Sequence, residues 1–383
     1  MRRVEDSRSI ENWPLTWNNR WRMRIVAHID MDAFYAAVEE QLNPALRALP
    51  LVVGADPKEG TGRGVVMTAN YAARRFGIRS ALSISRAWRL AEIARQRGEP
   101  ATLFLRPNMA LYRAVSERIM DIVKRYGDAF EEASIDEAYL EISSQGDFST
   151  ATERMNSLKT EIRNREGIGC SVGIGPNRLI AKIASGQHKP DGLTVIAPGL
   201  VASFLDPLPI RKIPGIGPKS ERFLHEQNLR TISELRRVPA TVLVEWFGKW
   251  GELLFDKCRG IDASPVTNEW TRKSLGEQET FEQDTRTQSL ITERLDLMAE
   301  RIVTKLRAKD FKRFHTVTLT VRFGDFQTSN RSRTIKEGIA VDENGLPRLR
   351  DQAAALLAPF FDARENPRGK AFRLIGLRVE KLF

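Results

Sequence analysis

Two short apolar runs in this chain end on carboxylates, and few folds tolerate that. Residues 24–30, Arg-Ile-Val-Ala-His-Ile-Asp, read as a buried strand closing on Asp30. Residues 130–135 and 138–142 read as two more strands, flanking Asp136-Glu137 as the arms of a hairpin flank its turn. A carboxylate near the middle of a sheet is expensive unless something neutralises it. Asp32, Asp136 or Glu137 taken singly reads as a solvated turn acid. The two clusters taken together, each on its own apolar strand, favour a site for two Mg²⁺ ions, because hard cations prefer carboxylate and carbonyl oxygens. Two metals about 3.5–4 Å apart can activate an attacking hydroxyl and steady a leaving pyrophosphate.

The rest of the pattern surrounds these strands with helices. Helices are expected at 33–42, 69–76 (closing at Gly77), 112–126 and 152–166, and strands at 51–54, 65–68 and 170–174. This order suggests an antiparallel sheet backed by helices, ferredoxin-like in style. After Pro190-Asp191-Gly192 the texture changes to short helices with Pro and Gly breaks, over 200–260. Strands at 316–323, 331–335 and 372–379 then bracket helices at about 287–308 and 347–361, a second α+β domain. The fold class is therefore α+β and multi-domain. With 383 residues the chain is long enough for two to four compact units.

Charge and cysteine usage narrow the function. The net charge of +11 and a pI of about 9.8 make a polyanion the natural partner. Cys170 and Cys258 stand far apart, outside any metal-binding spacing, and the four histidines are isolated, so a disulfide framework and a zinc site are not expected. No apolar run approaches membrane-span length and the N-terminus has no apolar signal core, which points to the cytoplasm.

Four further stretches bear on chemistry. In Thr68-Ala-Asn-Tyr-Ala-Ala-Arg-Arg75, Tyr71 and Arg74 share one helical face, where a hydroxyl and a guanidinium could grip a triphosphate. An ordinary exposed helix face is the bland alternative. Lys189 lies in the turn Gln187-His-Lys-Pro-Asp-Gly192, where its ammonium could reach a phosphate or simply be solvated. Ile213-Pro-Gly-Ile-Gly-Pro-Lys219 has the helix-hairpin-helix pattern. Gly215 and Gly217 let backbone N–H groups approach a DNA phosphate at a helix start, with Lys219 beside them. Apolar positions at Leu224, Leu229, Ile232 and Leu235 follow. Arg331 and Arg333, two apart on a strand, share a face suited to phosphates, although charge also protects sheet edges.

In this order, from about residue 24 onward, the stretches resemble the signatures of the Y-family DNA polymerases, in particular the DinB-type (DNA polymerase IV) branch. The resemblance rests on His28-Ile-Asp-Met-Asp-Ala-Phe-Tyr35, Thr68-Ala-Asn-Tyr71 with Arg74, Ser134-Ile-Asp-Glu-Ala138, Val172-Gly-Ile-Gly175 and Lys189-Pro190. It implies a right-hand polymerase: an N-terminal extension (1–23), a ferredoxin-like palm (24–34 and 106–196), small fingers (35–105), a helical thumb with the helix-hairpin-helix (197–263), a linker (264–274) and an α+β little finger (275–383). It also implies roles. Asp30 and Asp136 would bind both metals, Glu137 the primer-end metal, and the Met31 carbonyl the nucleotide-side metal. Tyr71, Arg74 and Lys189 would hold the incoming triphosphate, with Thr68 assisting. Tyr35 matches the steric gate against a ribose 2′-hydroxyl, with Phe34 packed beside it. The implied activity is low-fidelity, template-directed addition of deoxynucleotides to a primer 3′ end, across damaged or undamaged template. The small residues Ala69, Ala72, Ala73 and Gly77 suit open fingers that check base-pair shape weakly.

Two features depart from the family pattern. Trp13, Trp17 and Trp21 recur at four-residue spacing in the N-terminal extension, as a docked helical turn or a partner-binding peptide would. Bacterial members usually carry a sliding-clamp peptide after the last strand, whereas here Lys381-Leu-Phe383 follows it directly. A clamp is thus an expected partner without an assigned attachment, and the chain is expected to act as a monomer. The rival functions are a nucleotidyl cyclase on the same kind of palm, a non-catalytic DNA-binding scaffold and a helix-hairpin-helix nuclease. A cyclase needs neither the hairpin nor a basic C-terminal domain, and a scaffold would not keep Asp30, Asp136 and Glu137.

Overall fold

The computed structural model describes residues 23–383, so Trp13, Trp17 and Trp21 lie outside the described residues. The elements run β1 (Val26–Met31), α1 (Phe34–Leu42), β2 (Leu51–Gly54), β3 (Val66–Ala69), α2 (Tyr71–Arg75), α3 (Ile84–Gln96), β4 (Leu103–Leu105), α4 (Met109–Lys124), β5 (Ala129–Glu132), β6 (Glu137–Glu141), α5 (Phe148–Glu166), β7 (Cys170–Gly175), α6 (Arg178–Ser185) and β8 (Leu193–Val195). Then come α7 (Val201–Leu205), α8 (Pro218–Glu226), α9 (Ile232–Arg236), α10 (Ala240–Phe247), α11 (Lys249–Lys257), β9 (Ser274–Thr285), α12 (Gln288–Ala308), β10 (Arg313–Phe323), β11 (Thr328–Ala340), α13 (Gly345–Leu357) and β12 (Phe372–Leu382).

The first sheet has the order β5-β6-β1-β7-β8. Its pairs are antiparallel except β7 with β8. β6 lies between β1 and β5, which is the split-βαβ order of a ferredoxin-like sheet. The backing helices form where their sequences permit. In α4, Tyr112, Val115, Ile119, Ile122 and Val123 recur at helical spacing and are buried, and the Asn108 side chain caps the first turn by accepting from the Leu111 N–H. Asp147 caps α5 in the same way, and Gly167 ends it in the left-handed region. Helix α6 presses directly onto β7. A Cβ on Gly173 would come within 2.0 Å of the Ala181 carbonyl oxygen, so only glycine admits this approach.

Helices α7–α11 pack around a core that includes Ile213, Leu224, Ile232, Leu235, Leu243 and Leu254 and that Leu179, Ile180 and Ile183 of α6 share. Leu229 packs against that core but stays partly exposed. The C-terminal sheet has the order β11-β10-β12-β9. Val317, Leu319 and Val321 of β10 point into a core shared with residues of α12 and α13. Residues 51–54, 66–69 and 103–105 form a third, small sheet. The chain divides into two compact units. One comprises the described residues up to Val53, Thr68–Arg74 and Pro107–Asn268; the other comprises Gly54–Met67, Arg75–Arg106 and Glu269–Phe383.

Several elements escape the sequence pattern, the three-residue β8 among them. α3 buries Ile84, Ala87, Ala91 and Ala94, a stripe made mostly of alanine and therefore low in hydrophobic contrast. β4 is three residues long. β9 is an edge strand rich in Glu and Gln, with only Leu275 and Phe281 fully buried, so it lacks apolar alternation.

Candidate active site

The sheet register brings the paired acids together. Asp30, near the end of β1, lies directly opposite Glu137, the first residue of β6. Asp136 sits in the turn before it, and its carbonyl accepts from the Met31 N–H at 2.9 Å. Ser134 builds that turn: its hydroxyl donates to Asp136 Oδ1 at 2.6 Å and accepts from the Glu137 N–H at 3.1 Å. Two ammonium groups meet two of the acids. Lys189 Nζ contacts Asp30, and Lys182 Nζ donates to Glu137 Oε2 at 2.6 Å. Among the described residues, no group of three or more His, Cys, Asp or Glu side chains stands ready as it is to hold a metal ion.

The electrostatics of the two paired acids differ. Burial pushes the Asp30 carboxyl up to about 6 even with Lys189 beside it, and the Glu137 and Asp136 charges add to the rise. This is a carboxylate short of positive charge. Burial also works against ionised Glu137, but hydrogen bonds and charge from His28, in its protonated form, and from Lys182 outweigh it and hold the group at about 2. His28 lies beneath the site with Nδ1 2.8 Å from Ser185 Oγ and Nε2 3.6 Å from Glu137 Oε2. Burial lowers its pKa to about 4, so the imidazole is neutral near pH 7.

The triphosphate candidates divide between two places. Tyr71 and Arg74 share one face of α2 as expected, with the Arg74 guanidinium 4.6 Å from the Tyr71 ring centroid. Arg74 also donates to the Ala69 carbonyl at 2.9 Å. Thr68 is buried in β3. The Asn70 amide donates to Glu40 Oε1 at 2.7 Å and to the Leu49 carbonyl at 2.8 Å, which fastens the start of α2. A cleft of about 420 Å³ opens beside Tyr71, with Asp32, Arg47, Arg163 and Asp191 in its walls. Of the small residues Ala69, Ala72, Ala73 and Gly77, only Ala72 lines it; Ala69 and Ala73 are core.

Tyr35 extends from the first turn of α1 and stacks on Tyr112, with centroids 4.7 Å apart. The Tyr112 hydroxyl donates to Glu39 Oε1 at 2.6 Å. Phe34 is a core residue, 2% exposed, and packs beside Tyr35. Four further residues meet the candidate site: Asp32, Tyr112, Lys159 and Lys182. Tyr112 and Lys182 looked like ordinary positions within helices. Asp32 stood in the motif but read as a solvated turn acid, whereas it is only 7% exposed. Lys159, in α5, donates to the carbonyls of Cys170, Asp191 and Gly192 and so braces the turn that carries Lys189.

The expected DNA-contact residues also have defined places. Gly215 takes a φ of +107° and lies against Trp250, whose ring would be 3.0 Å from an added Cβ. Gly217 caps α8, Pro218 occupies its first turn, and Lys219 is exposed. Arg331 and Arg333 share a face, but the register sets them opposite Leu319 and Val317, on the side of α12 and α13. There Arg331 pairs with Glu365, and Arg333 donates to Gln352 Oε1 at 3.1 Å. Asn330 and Ser332 take the opposite face, across from Thr320 and Thr318.

Over most of its length the chain is similar to known proteins. Residues 29–186 fit the impB/mucB/samB family model, residues 272–382 fit its C-terminal domain, and residues 211–262 fit the thumb domain of DNA polymerase-iota. A protein of Methanosarcina mazei named DNA polymerase IV 2 is 40% identical over 366 residues, 95% of this chain and 94% of that protein. The chain belongs to the Y family of DNA polymerases, in its DinB-type branch. A DNA polymerase IV of Streptococcus pyogenes serotype M28 is 38% identical over 94% of both chains. Among solved structures, a chimeric Y-family polymerase of the Dbh and Dpo4 type matches with a TM-score of 0.79 at 30% identity, covering 94% of this chain and 99% of that one. An insertion ternary complex of Dbh DNA polymerase matches with a TM-score of 0.64, also at 30% identity and with the same coverage. The chain is thus a DNA-directed DNA polymerase of the translesion type, with the right-hand fold that its sequence implied. This sets aside the cyclase, scaffold and nuclease readings. Polymerases of this family depend on a divalent metal. Among the described residues, no helix is long and apolar enough to cross a membrane.

Proposed function

We infer that Asp30, Asp136 and Glu137 are the catalytic acids, and that Asp30 and Asp136 bind both of two Mg²⁺ ions. Glu137 supports the primer-end ion and the Met31 carbonyl the nucleotide-side ion; Mn²⁺ is the natural substitute. The observation that carries this reading is the cross-strand pairing of Asp30 with Glu137, Asp136 being in the adjoining turn. The donor set is hard oxygen, and Asp30 is short of positive charge, so a divalent cation fits the chemistry of the site. Bound there, the ions would activate the primer hydroxyl and neutralise charge on the departing pyrophosphate.

The surrounding residues orient the substrates. Tyr71, Arg74 and Lys189 hold the triphosphate of the incoming nucleotide, with Thr68 assisting. Tyr35, with Phe34 behind it, bars a ribose 2′-hydroxyl. Gly215, Gly217 and Lys219 grip the phosphates of primer–template DNA, and Arg331 and Arg333 add contacts from the edge strand β11. In this reading the palm is 24–34 and 106–196, the fingers 35–105, the thumb 197–263 and the little finger 275–383. The enzyme acts as a monomer in the cytoplasm, consistent with two free, buried thiols at Cys170 and Cys258, and a sliding clamp completes its partners.

Primer extension on undamaged and lesion-bearing templates tests the assignment. Wild type should extend both. Asp136→Ala/Glu137→Ala should bind the same DNA and extend neither. Equal extension by the double variant would overturn the metal-site reading.

A further inference from the structure

Asp32 lies two residues beyond Asp30, yet its environment is different. Its carboxylate is nearly closed to solvent and accepts hydrogen bonds from three separate segments. Tyr71 Oη donates to Oδ1 at 3.1 Å. Ser171 Oγ, on β7, lies 2.9 Å from Oδ1 and 3.1 Å from Oδ2. The Asp191 N–H donates to Oδ2 at 2.7 Å. Lys189 Nζ is 4.0 Å from Oδ1. A carboxylate has about four lone-pair sites, and these partners fill most of them. Asp32 is therefore poorly placed to serve a metal ion as well.

Two of the three segments have something in common. One begins α2 with Tyr71, and another is the turn containing Lys189, the two places where the proposed triphosphate grips are encoded. They are far apart in sequence, and Asp32 joins them directly. The backbone supports the junction. The Asp32 N–H donates to the Gly169 carbonyl at 3.0 Å, and the next residue, Ala33, takes a left-handed conformation with φ of 48°. Such a φ is uncommon in residues other than glycine and is strained. Here it lies at the step where the chain leaves β1 for α1.

We propose that Asp32 is a positioning residue for nucleotide binding: it holds the Tyr71 hydroxyl and the Lys189 turn in register to receive one triphosphate. This rests on the reading of Tyr71 and Lys189 as triphosphate grips. Asp32→Asn keeps the shape but removes the charge and turns one acceptor into a donor. Tyr71 and the Asp191 N–H bond different oxygens, so the single oxygen that remains can accept from one of them but not from both.

The test is pre-steady-state nucleotide incorporation into a primer–template, read as nucleotide Kd and maximal rate, with DNA affinity and Tm measured alongside. Asp32→Asn should weaken nucleotide binding roughly tenfold, as expected for losing hydrogen bonds to a charged acceptor. The DNA Kd should stay at the wild-type value. Tyr71→Phe should weaken nucleotide binding in the wild-type background and much less in the Asp32→Asn background, because the hydroxyl would no longer be held by a charged acceptor. Ser171→Ala gives a milder version should Asp32→Asn not fold, and nucleotide affinity should fall about threefold. Unchanged nucleotide affinity in a folded Asp32→Asn or Ser171→Ala variant overturns the proposal. So does full additivity of Asp32→Asn with Tyr71→Phe, or loss of DNA and nucleotide affinity in parallel. If Tyr71→Phe and Lys189→Ala themselves leave nucleotide affinity unchanged, the triphosphate assignment fails instead.

Discussion

Tyr35 and Tyr112 stack with ring centroids 4.7 Å apart and an interplanar angle of 21°. The Tyr112 hydroxyl is tied to Glu39, so the inner ring is fixed and the outer ring rests on it. Tyr35→Ala should admit ribonucleotides, raising the ratio of kcat/KM for a ribonucleotide over its deoxy counterpart by about tenfold or more. Tyr112→Ala should move the same ratio in the same direction, because it removes the support. Tyr112→Phe keeps the ring and should leave discrimination intact while lowering stability by about 1–3 kcal/mol through the unpaired Glu39. Unchanged ribonucleotide use by Tyr35→Ala would disprove the gate.

Gly173 is where β7 admits α6. An added Cβ would sit 2.0 Å from the Ala181 carbonyl oxygen and 2.3 Å from the Ser185 nitrogen, both main-chain atoms that cannot swing aside. Gly173→Ala should therefore destabilise by about 3 kcal/mol or more, visible as a clear fall in Tm. Helix α6 carries Lys182 against Glu137 and Ser185 against His28, so activity should fall with stability.

Much of this site was legible in the sequence, for a physical reason. Asp30, Asp136 and Glu137 stand out because carboxylates beside apolar strands are costly, and Gly215 and Gly217 because their backbone demands are local. What a residue pairs with across 30 to 160 positions leaves no local trace. Asp32 reads as a turn acid until Ser171 and the Asp191 N–H close around it. Tyr112 reads as one more apolar position of α4 until Tyr35 lies on it. Strand faces show the same limit: spacing put Arg331 and Arg333 together, but only the register with β10 shows which face they take.

That register has a consequence for DNA binding. Arg331 is paired with Glu365, so it must give up that carboxylate to hold a phosphate. Glu365→Gln should tighten primer–template binding severalfold, and Arg331→Ala should weaken it at every sequence while reducing the salt slope by about 1. Fluorescence anisotropy across a salt series measures both. No change with either variant removes Arg331 from the DNA interface.

At Gly215 a φ of +107° and the nearby Trp250 ring act together. Alanine there carries a strain of roughly 1–3 kcal/mol and pushes on an indole that packs against the α7–α11 core. Gly215→Ala should weaken primer–template affinity without sequence preference, since a hairpin of this kind contacts only the backbone. It should leave nucleotide Kd unchanged at saturating DNA. A variant that alters nucleotide affinity but not DNA affinity would place the hairpin elsewhere in the mechanism.

Lys189 makes the sharpest demand, because its ammonium rests on Asp30, an acid assigned to the metals. An ion binding at Asp30 must displace that ammonium, and an incoming triphosphate offers the displaced group a new partner. Lys189→Ala should thus have effects of opposite sign. Without nucleotide, Mn²⁺ should bind severalfold more tightly, because no side-chain cation competes for the carboxylate; electron paramagnetic resonance of free Mn²⁺ reads this directly. With nucleotide, the triphosphate loses a charged donor and its Kd should rise by roughly tenfold or more. Asp30→Asn should abolish the gain in Mn²⁺ affinity, which ties the effect to this carboxylate. If Mn²⁺ affinity falls in Lys189→Ala, the ammonium and the ion are not rivals, and the metal site does not include Asp30.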